Sequence, residues 1–407
     1  MGKGSSLIMK KIAIIGCGAS GTMILANLVK IAKNAQLDIT IYHSGTPIAR
    51  GIAYSTNIDG HLLNVVASDM GAWADNKNDF YDWLEINYPN QYNQKSFVSR
   101  KIFGKYLEDI LNNAKIIALE KNLKLTFINQ ELTTIPNGFD HICLSLGNKL
   151  KKFNLPEQQV NLNTTKHIAI AGTGLSMIDY VISLQEQNYT GKISLISRHG
   201  NLPYAYSFDT DVAVENTVAP GDNLEIVLDK YYTMVNKCGD WRSVINSFRP
   251  HCNAVWQAWS VADRLEFLSK YNSDWGVKRH KIAVEVDLAV RNYFSTIDVV
   301  QIKSTINDVY KDDGYTITFK SHEAINCDAV VNCMGLDLNV QSHPIYADML
   351  KNNLIEASLV KTGIIPPPLD HVHVIGSSLV GHLFESIAIP ELRHQAYSIA
   401  AKIIGSR

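Results

Sequence analysis

Two glycine-rich turns are the residues of this sequence whose types and spacing most clearly suit chemistry. The first, residues 16–21, reads Gly-Cys-Gly-Ala-Ser-Gly and separates an apolar run at 11–15 from a segment with helical spacing at 22–30. The second, residues 172–177, reads Gly-Thr-Gly-Leu-Ser-Met and also lies between an apolar run and a helical pattern. Each copy therefore predicts a strand, a tight turn and a helix, which is the context of a dinucleotide-binding turn.

The physical chemistry of such a turn favours a bound diphosphate. Its first glycine allows the tight bend, its second lets the backbone approach the pyrophosphate, and the helix offers free N–H groups and the positive end of its dipole. A strand–helix turn without a ligand is the alternative, and it explains two copies in one chain poorly. The residues expected to contact cofactors are Gly16, Gly18, Ala19, Ser20 and Gly21 in the first turn, and Gly172, Gly174, Leu175 and Ser176 in the second.

The residue after the next strand distinguishes the two ligands. In the first unit His43 stands there, about 22 residues after Gly21, where an acidic residue usually holds the ribose hydroxyls. A histidine can still hydrogen-bond the ribose through either ring nitrogen. In the second unit Ser197 and Arg198 stand there without a carboxylate, which favours the 2′-phosphate of NADPH over the free hydroxyl of NADH. The alternative for Arg198 is an ordinary solvated arginine.

Three later apolar runs end in glycine and predict further strands of the same domains. The glycines, which we expect to contact a cofactor, are Gly147, Gly335 and Gly376. A helix is then predicted from His382 to about residue 404, with His382 and Leu383 at the cofactor. Pro390 lies inside that helix and predicts a kink or two separate segments.

Together these elements predict an α/β protein with two Rossmann-like dinucleotide-binding domains. Its 407 residues exceed what one hydrophobic core usually serves. We expect a discontinuous FAD-binding domain made of 1–155 and 328–407. The NAD(P)H-binding domain, 156–327, is expected to be inserted between these parts and to carry a helical insertion around 240–295.

Composition and charge disfavour several other classes of protein. The 38 basic and 39 acidic side chains nearly cancel, which gives no electrostatic reason to expect nucleic acid. No apolar run approaches the ~18 residues of a membrane span. The six cysteines form no Cys-x-x-Cys pair and suit a reducing compartment. We therefore expect a cytoplasmic protein with no metal site and no disulfide-reductase motif.

Segments spread along nearly the whole chain match one family together. They include His61-Leu62-Leu63-Asn64, Phe97-Val98-Ser99-Arg100 and Trp275-Gly276-Val277-Lys278-Arg279-His280, with further matches at 51–55, 103–107, 172–176 with Asp179, 196–200, 240–242 and 384–393. By these motifs the sequence resembles the bacterial FAD/NAD(P)-binding oxidoreductases of the flavin monooxygenase type. Relatives of that family are the N-hydroxylating monooxygenases and a flavin-dependent urate hydroxylase.

The resemblance implies positions for several residues. It places Asn64 near the flavin ring and Arg100 at the start of a helix at the FAD edge. Arg279 and His280 lie in a matching segment and become catalytic candidates beside Asn64, with no step assigned to them. Besides the histidine at position 43, the sequence departs from the pattern at Ser377, where many FAD enzymes have an aspartate that reaches the ribityl hydroxyls.

The tryptophans between residues 241 and 275 allow two interpretations. They either line a substrate or nicotinamide pocket or form the core of a helical subdomain, and aromatic residues at helical spacing more often form a core.

The resemblance favours an NADPH-using flavin monooxygenase. Such an enzyme takes a small-molecule substrate and O₂, forms a C4a-hydroperoxyflavin and hydroxylates the substrate, and N-hydroxylation is one form of this reaction. Two alternatives stay open: an NAD(P)H oxidase or flavin reductase without oxygen insertion, and a non-catalytic dinucleotide-binding redox sensor. No Ser/His/Asp arrangement in a recognisable elbow offers another catalytic centre.

Overall fold

The apolar runs of the sequence form the centres of two parallel sheets. The computed structural model describes residues 9–32, 36–45, 47–149, 160–207 and 212–405. The first part contains, in chain order, β1 (Lys10–Ile15), α1 (Ala19–Ile31), β2 (Leu37–His43), α2 (Asp79–Asn87), α3 (Arg100–Glu120), β3 (Lys124–Asn129) and β4 (His141–Leu144). The second part begins with β5 (His167–Ala171), α4 (Leu175–Glu186) and β6 (Lys192–Ser197).

A run of helices and a group of strands complete the second part. The helices are α5 (Leu224–Cys238), α6 (Trp241–Phe248), α7 (Cys252–Ala258), α8 (Val261–Lys270), α9 (Asn272–Arg279) and α10 (Val284–Phe294). The strands are β7 (Val299–Lys303), β8 (Ile306–Asp312), β9 (Gly314–Phe319), β10 (Ile325–Cys327) and β11 (Ala329–Asn332). The chain then forms α11 (Pro344–Lys351), β12 (Glu356–Ala357), β13 (Ile364–Ile365), β14 (Val372–Val374), α12 (Val380–Leu383) and α13 (Ile389–Gly405).

The strand order confirms the predicted fold class. The first sheet runs β14-β4-β1-β2-β3 and the second runs β11-β5-β6-β7, with every neighbouring pair parallel. In register, Ile14 of β1 lies between Ile41 and Cys143. Strands β8, β9 and β10 form a separate antiparallel sheet.

The return to the first domain comes later than the sequence predicts. Strand β11 pairs with β5 in the second sheet, so the expected boundary at residue 328 is one strand too early. The Asp328 carboxylate accepts hydrogen bonds from the backbone N–H groups of Lys166 and His167, which fixes the start of β11 beside β5. Asp140 makes the matching bond to the N–H of Lys11 in the first sheet. The other expected boundary, at 155/156, lies outside the described residues.

The pleat of each central strand supplies two cores. Ile12 and Ile14 of β1 pack with α1, α3 and α13, whereas Ala13 and Ile15 face the opposite cluster, which includes α11. In the second sheet, Ile170 packs with α4 and α10 while its neighbour Ala169 faces the antiparallel sheet. Burying an apolar side chain of the size of isoleucine contributes about 1.5–3 kcal/mol, so packing on both faces stabilises each sheet.

Two helical expectations can be compared directly with the structure. The helical segment covers Leu224–Phe294 and so begins one helix before residue 240. The C-terminal helix is divided as Pro390 predicts, since α12 ends at Leu383 and α13 starts at Ile389. Pro390 stands in the first turn of α13, where its missing N–H leaves no intrahelical bond unmade. Among the described residues, no helix combines the length and apolar character needed to cross a bilayer.

Candidate functional site

The first glycine turn has a geometry that only glycine can supply. Gly16 has a φ of +97°, and a Cβ there would lie 2.1 Å from the carbonyl oxygen of Ser145. A Cβ on Gly21 would lie 2.0 Å from the carbonyl oxygen of Gly16. Helix α1 then begins at Gly18, with no side-chain cap and no acidic residue in its first turn. Its N-terminal N–H groups thus have no side-chain cap, which is what the predicted anion site requires.

A second segment covers this turn. The backbone N–H of Ala49 donates to the carbonyl oxygen of Cys17 at 2.7 Å, and a Cβ on Gly18 would lie 3.3 Å from the Cα of Gly51. Ala49 holds a φ of +75°, which is uncommon for a residue with a side chain. Between them, Arg50 makes a two-bond ion pair with Glu108 of α3, at 2.7 and 2.8 Å. The match at residues 51–55 marked this segment, but the sequence does not show that it covers the turn, because an alanine does not by itself indicate a positive φ.

The turn opens into a cavity of about 730 Å³, within the usual range for ligand sites. Its wall comes from the carboxyl ends of the parallel strands, where ligands of such sheets bind. The predicted first-turn and strand-end residues that line it are Gly16, Gly18, Ala19, Ser20, His43, Gly147 and Gly376, together with Asn64 and Arg100. Gly21 does not line it and lies beneath the turn, where it permits close packing.

The second glycine turn repeats the first in detail. Gly172 has a φ of +100°, and a Cβ there would lie 2.2 Å from the carbonyl oxygen of Cys333. Gly174 caps α4 with φ −88° and ψ −161°, against −82° and −161° for Gly18 before α1. No side chain caps α4 and its first turn holds no acidic residue. Leu175, the first residue of α4, lines the same cavity as the first turn.

The end of β6 shapes the floor of the second turn. The Thr173 hydroxyl donates to Ser197 Oγ at 2.9 Å, and the same oxygen of Ser197 accepts the backbone N–H of Gly200 at 3.1 Å. Arg198 is exposed and extends from the strand end into solvent. Gly335, with a φ of +88°, follows β11 beside this turn. It corresponds to Gly147 of the first sheet and does not line the large cavity.

The helix after Gly376 starts earlier than predicted. A short 3₁₀ turn, Ser377–Leu379, comes first, and it is Gly376, Ser377 and Val380 that line the cavity. His382 and Leu383 lie at the other end of α12 and do not line it. The His382 Nε2 atom instead lies 3.1 Å from Nε2 of Gln257 on α7. A glycine inside a short helix, such as Gly381 in α12, lowers the helical signal of the sequence before His382.

Arg279 stands behind the cavity wall. Its guanidinium donates two bonds to Glu385, at 2.9 and 3.2 Å, and Glu385 lines the cavity whereas Arg279 does not. Arg249 pairs with Glu391 at 2.8 Å and lies 3.6 Å from Asp69. This ion network joins three parts of the chain that are far apart in sequence. Arg279 therefore holds the wall in position.

His280 lines the cavity next to this network. His280 stays exposed to the open cavity, and desolvation by the surrounding protein, with the neighbouring Arg279 as a second cause, lowers its pKa to about 4. The imidazole is therefore neutral at pH 7 and can both donate and accept a hydrogen bond.

A charged contact joins the two dinucleotide units. Arg100, at the start of α3, donates to the Asp179 carboxylate at 2.6 Å and to the carbonyl oxygen of Leu62 at 3.2 Å. His61 reaches the same helix α4, with Nε2 2.8 Å from the carbonyl oxygen of Asp179 and 3.0 Å from the Ser183 hydroxyl. The segment that carries Asn64 is thereby tied to the helix that follows the second glycine turn.

The residues present fit a bound dinucleotide at the first turn. Two glycines at the rim, Gly147 and Gly376, have positive φ, and a Cβ at Gly147 would meet open space. Ser386 lines the cavity, and its buried hydroxyl has no hydrogen-bond partner among the described residues. A polar group of a ligand in the cavity would supply the hydrogen-bond partner that this hydroxyl lacks. Among the described residues, no cluster of three or more potential metal ligands was found.

Comparisons with known proteins agree with this geometry. Residues 13–154 match the family described as FAD-NAD(P)-binding. The whole chain is similar in structure to the ornithine N-hydroxylase of Kutzneria sp. 744, with a TM-score of 0.62, 12% identity, and coverage of 97% of this chain and 99% of that one. No curated protein sequence matches the chain significantly.

Two further solved structures have the same arrangement. The L-lysine 6-monooxygenase of Pseudomonas syringae has a TM-score of 0.62 and 12% identity, over 97% of this chain and 99% of that one. The cadaverine monooxygenase of Erwinia amylovora, solved with FAD, has a TM-score of 0.64 and 12% identity, over 98% and 95%. These likenesses confirm the two-domain fold that the resemblance implies.

Proposed function

We propose that this chain, whose residues 13–154 match the FAD-NAD(P)-binding family, is an FAD-dependent, NADPH-using monooxygenase that hydroxylates the nitrogen of a small amine. One observation carries the proposal: Leu175 of the second turn lines the same cavity as Gly18 of the first. Diphosphates held at the two turns would bring their attached rings into one space, as direct hydride transfer requires. Similar structures named for ornithine, lysine and cadaverine support an amine substrate.

The cofactors supply the redox chemistry, and the chain binds and positions them. When bound, FAD takes a hydride from NADPH and allows O₂ to be used, so that NADPH, H⁺, O₂ and amine become NADP⁺, water and hydroxylated amine. The N-terminus of α1 holds the FAD diphosphate and His43 the adenosine ribose. Neutral His280, which lines the cavity, would hydrogen-bond an amine or a flavin edge without adding a positive charge.

The second turn is assigned to NADPH. The N-terminus of α4 takes its diphosphate, and Arg198, which is exposed and close to Ser197 at the end of β6, takes its 2′-phosphate. The bond from Thr173 to Ser197 keeps the strand end and the turn in a fixed relation.

A thiol-based redox reaction is disfavoured by the cysteine at the cavity. Cys17 lines the cavity, but burial raises the pKa of its thiol, whereas reactive cysteines have a lowered pKa. The remaining competitors are an oxidase in which all reducing equivalents end in peroxide, and a dinucleotide-binding redox sensor without turnover.

The proposal is tested by colour, reduction and stoichiometry. Purified protein is expected to be yellow, and NADPH under nitrogen is expected to bleach it. In air, adding 1-pentylamine should increase NADPH consumption while the peroxide released per NADPH falls, because oxygen enters the amine. Colourless protein that cannot be reconstituted with FAD would refute the flavoenzyme. If the peroxide released equals the NADPH consumed with every amine tried, the protein is an oxidase and not a monooxygenase.

A further inference from the structure

We propose that a separate aromatic pocket in the helical segment binds the apolar end of the substrate while the reacting amine faces the large cavity. This inference rests on the proposed function and adds the class of substrate: a primary amine with a short, uncharged hydrocarbon end. We call the site the aromatic pocket. The residues that define it are Val255, Trp256, Trp259, Phe267, Trp275 and Phe384.

The surface of the aromatic pocket is almost entirely carbon. The indole N–H of Trp256 donates to the carbonyl oxygen of Gly381 at 3.1 Å, and that of Trp259 donates to the carbonyl oxygen of Asp222 at 3.0 Å. Both polar atoms thus point away from any occupant. Trp256 and Phe267 pack with ring centroids 6.3 Å apart. Such a surface favours hydrocarbon and gives no partner to a buried polar group.

The charged groups at its edge are already paired. Asp274 and Lys278 both line the aromatic pocket, and their side chains are joined at 2.7 Å, one helical turn apart on α9. His251 also lines it and offers no negative charge. A second ammonium group on the substrate would therefore enter without a free carboxylate to meet it.

The aromatic pocket adjoins the cofactor cavity, and two aromatic residues line both spaces. Trp275 and Phe384 line both spaces, with ring centroids 6.3 Å apart and planes at 44°. Phe384 has a φ of +71°, a strained value for a bulky residue. Its ring is held there by stacking on Trp256 at 4.8 Å. Strain kept at a wall between two cavities is typical of a functional position.

The volume limits the size of the occupant. The aromatic pocket measures about 80 Å³. An apolar cavity of ~150 Å³ holds one benzene molecule, so this space suits about three carbon atoms of an alkyl end. A competing explanation is an unfilled packing gap in the helical core, which would bind nothing.

Binding of simple amines to the FAD-loaded protein distinguishes these explanations. The probes are 1-propylamine to 1-hexylamine and cadaverine, followed by calorimetry. Each added methylene should tighten Kd about four-fold over roughly three steps and then have no further effect. Cadaverine differs from 1-pentylamine by a second ammonium group and should bind at least about ten-fold more weakly. Equal or tighter binding of cadaverine would overturn the inference.

Two variants and a matched control locate the effect. Leu228→Trp fills the aromatic pocket, because Leu228 lines it from α5. Ile226→Trp is the control, because Ile226 lies on the same helix, is 42% exposed and does not line the aromatic pocket. Leu228→Trp should abolish the gain per methylene, whereas Ile226→Trp should keep it. Phe267→Leu enlarges the space and should move the plateau to longer chains, which gives a second test if the first variant folds poorly.

The outcomes separate this inference from the proposed function. The role of the aromatic pocket alone is contradicted if NADPH bleaches the protein but the Kd of the amines does not depend on chain length. Equal amine binding by Leu228→Trp and Ile226→Trp would contradict it as well. Protein that is not bleached contradicts the proposed function, whatever the amine series shows.

Discussion

The ion pair between Arg279 and Glu385 is expected to support the cavity wall strongly. Both side chains are only 10% exposed, and Arg279 Nη2 also lies 3.9 Å from Glu391. Burial lowers the pKa of Arg279, but the charges of Glu385 and Glu391 outweigh it and leave that pKa above its ordinary value. Changing Arg279 to Met would leave a carboxylate enclosed without its partner, at a cost of about 3–5 kcal/mol in the free energy of unfolding.

Urea unfolding of the wild type, Arg279→Met, Glu385→Gln and the double variant measures this cost. The double variant should lose about 1–3 kcal/mol less than the sum of the single changes, because it no longer contains an unpaired buried charge. Lys270→Met is the matched control: Lys270 pairs with Glu266 in an exposed one-turn contact on α8, where removal should cost less than about 0.5 kcal/mol. Arg279→Met within about 0.5 kcal/mol of the wild type, or strictly additive losses, would refute the reasoning.

Three further changes test the turns and a buried histidine. Gly18→Val should block the approach of the diphosphate, so the variant should lose its FAD during gel filtration. Gly221→Val, where a Cβ meets open space, is the control and should leave the protein yellow. Equal FAD content in the two variants would contradict the assignment of FAD to the first turn. Arg198→Ala should raise the KM for NADPH about ten-fold or more and that for NADH less than about two-fold, and a similar change for both cofactors would disprove the 2′-phosphate contact. Burial, together with the charge of His141, lowers the pKa of His373 from the ordinary 6.5 to about 4. At a pH between 4 and 6.5, His373 therefore binds a proton in the unfolded chain but not in the folded chain. The free energy of unfolding should therefore fall by up to about 1.4 kcal/mol per pH unit as the pH is lowered from about 6.5 to 4. Denaturation curves measured across this pH range should show a shallower slope for His373→Gln. An unchanged slope would contradict this role of His373.

Local steric rules explain why the glycine turns could be predicted from the sequence. A tight bend after a buried strand requires a positive φ, and the contacts that a Cβ would make at Gly16 and Gly172 show that both turns obey this rule. The same local reasoning predicted the division of the C-terminal helix at Pro390. Each of these features depends on a few consecutive residues.

Features that depend on distant pairings could not be predicted in this way. The segments that end in β4 and β11 have the same pattern of an aspartate, apolar residues and a glycine, so the pattern could not show which sheet each strand joins. The Arg279–Glu385 pair joins positions 106 residues apart, and the Arg100–Asp179 pair joins positions 79 apart. Their importance follows from packing that a single sequence does not reveal.

The two turns are alike in backbone but differ in what covers them, and that difference matches the different needs of the two cofactors. The first turn lies beneath a segment fixed by the Ala49–Cys17 hydrogen bond and the Arg50–Glu108 ion pair, and it lines the large cavity. At the second turn a Cβ on Gly174 would meet nothing within 4 Å, and Leu175 alone of its predicted contact residues lines that cavity. We expect a covered diphosphate to dissociate slowly, since the cover must open first, and an open one to exchange more readily. Under the proposed function, the first turn would therefore retain its cofactor and the second would exchange its own, which is the order that reduction by NADPH requires.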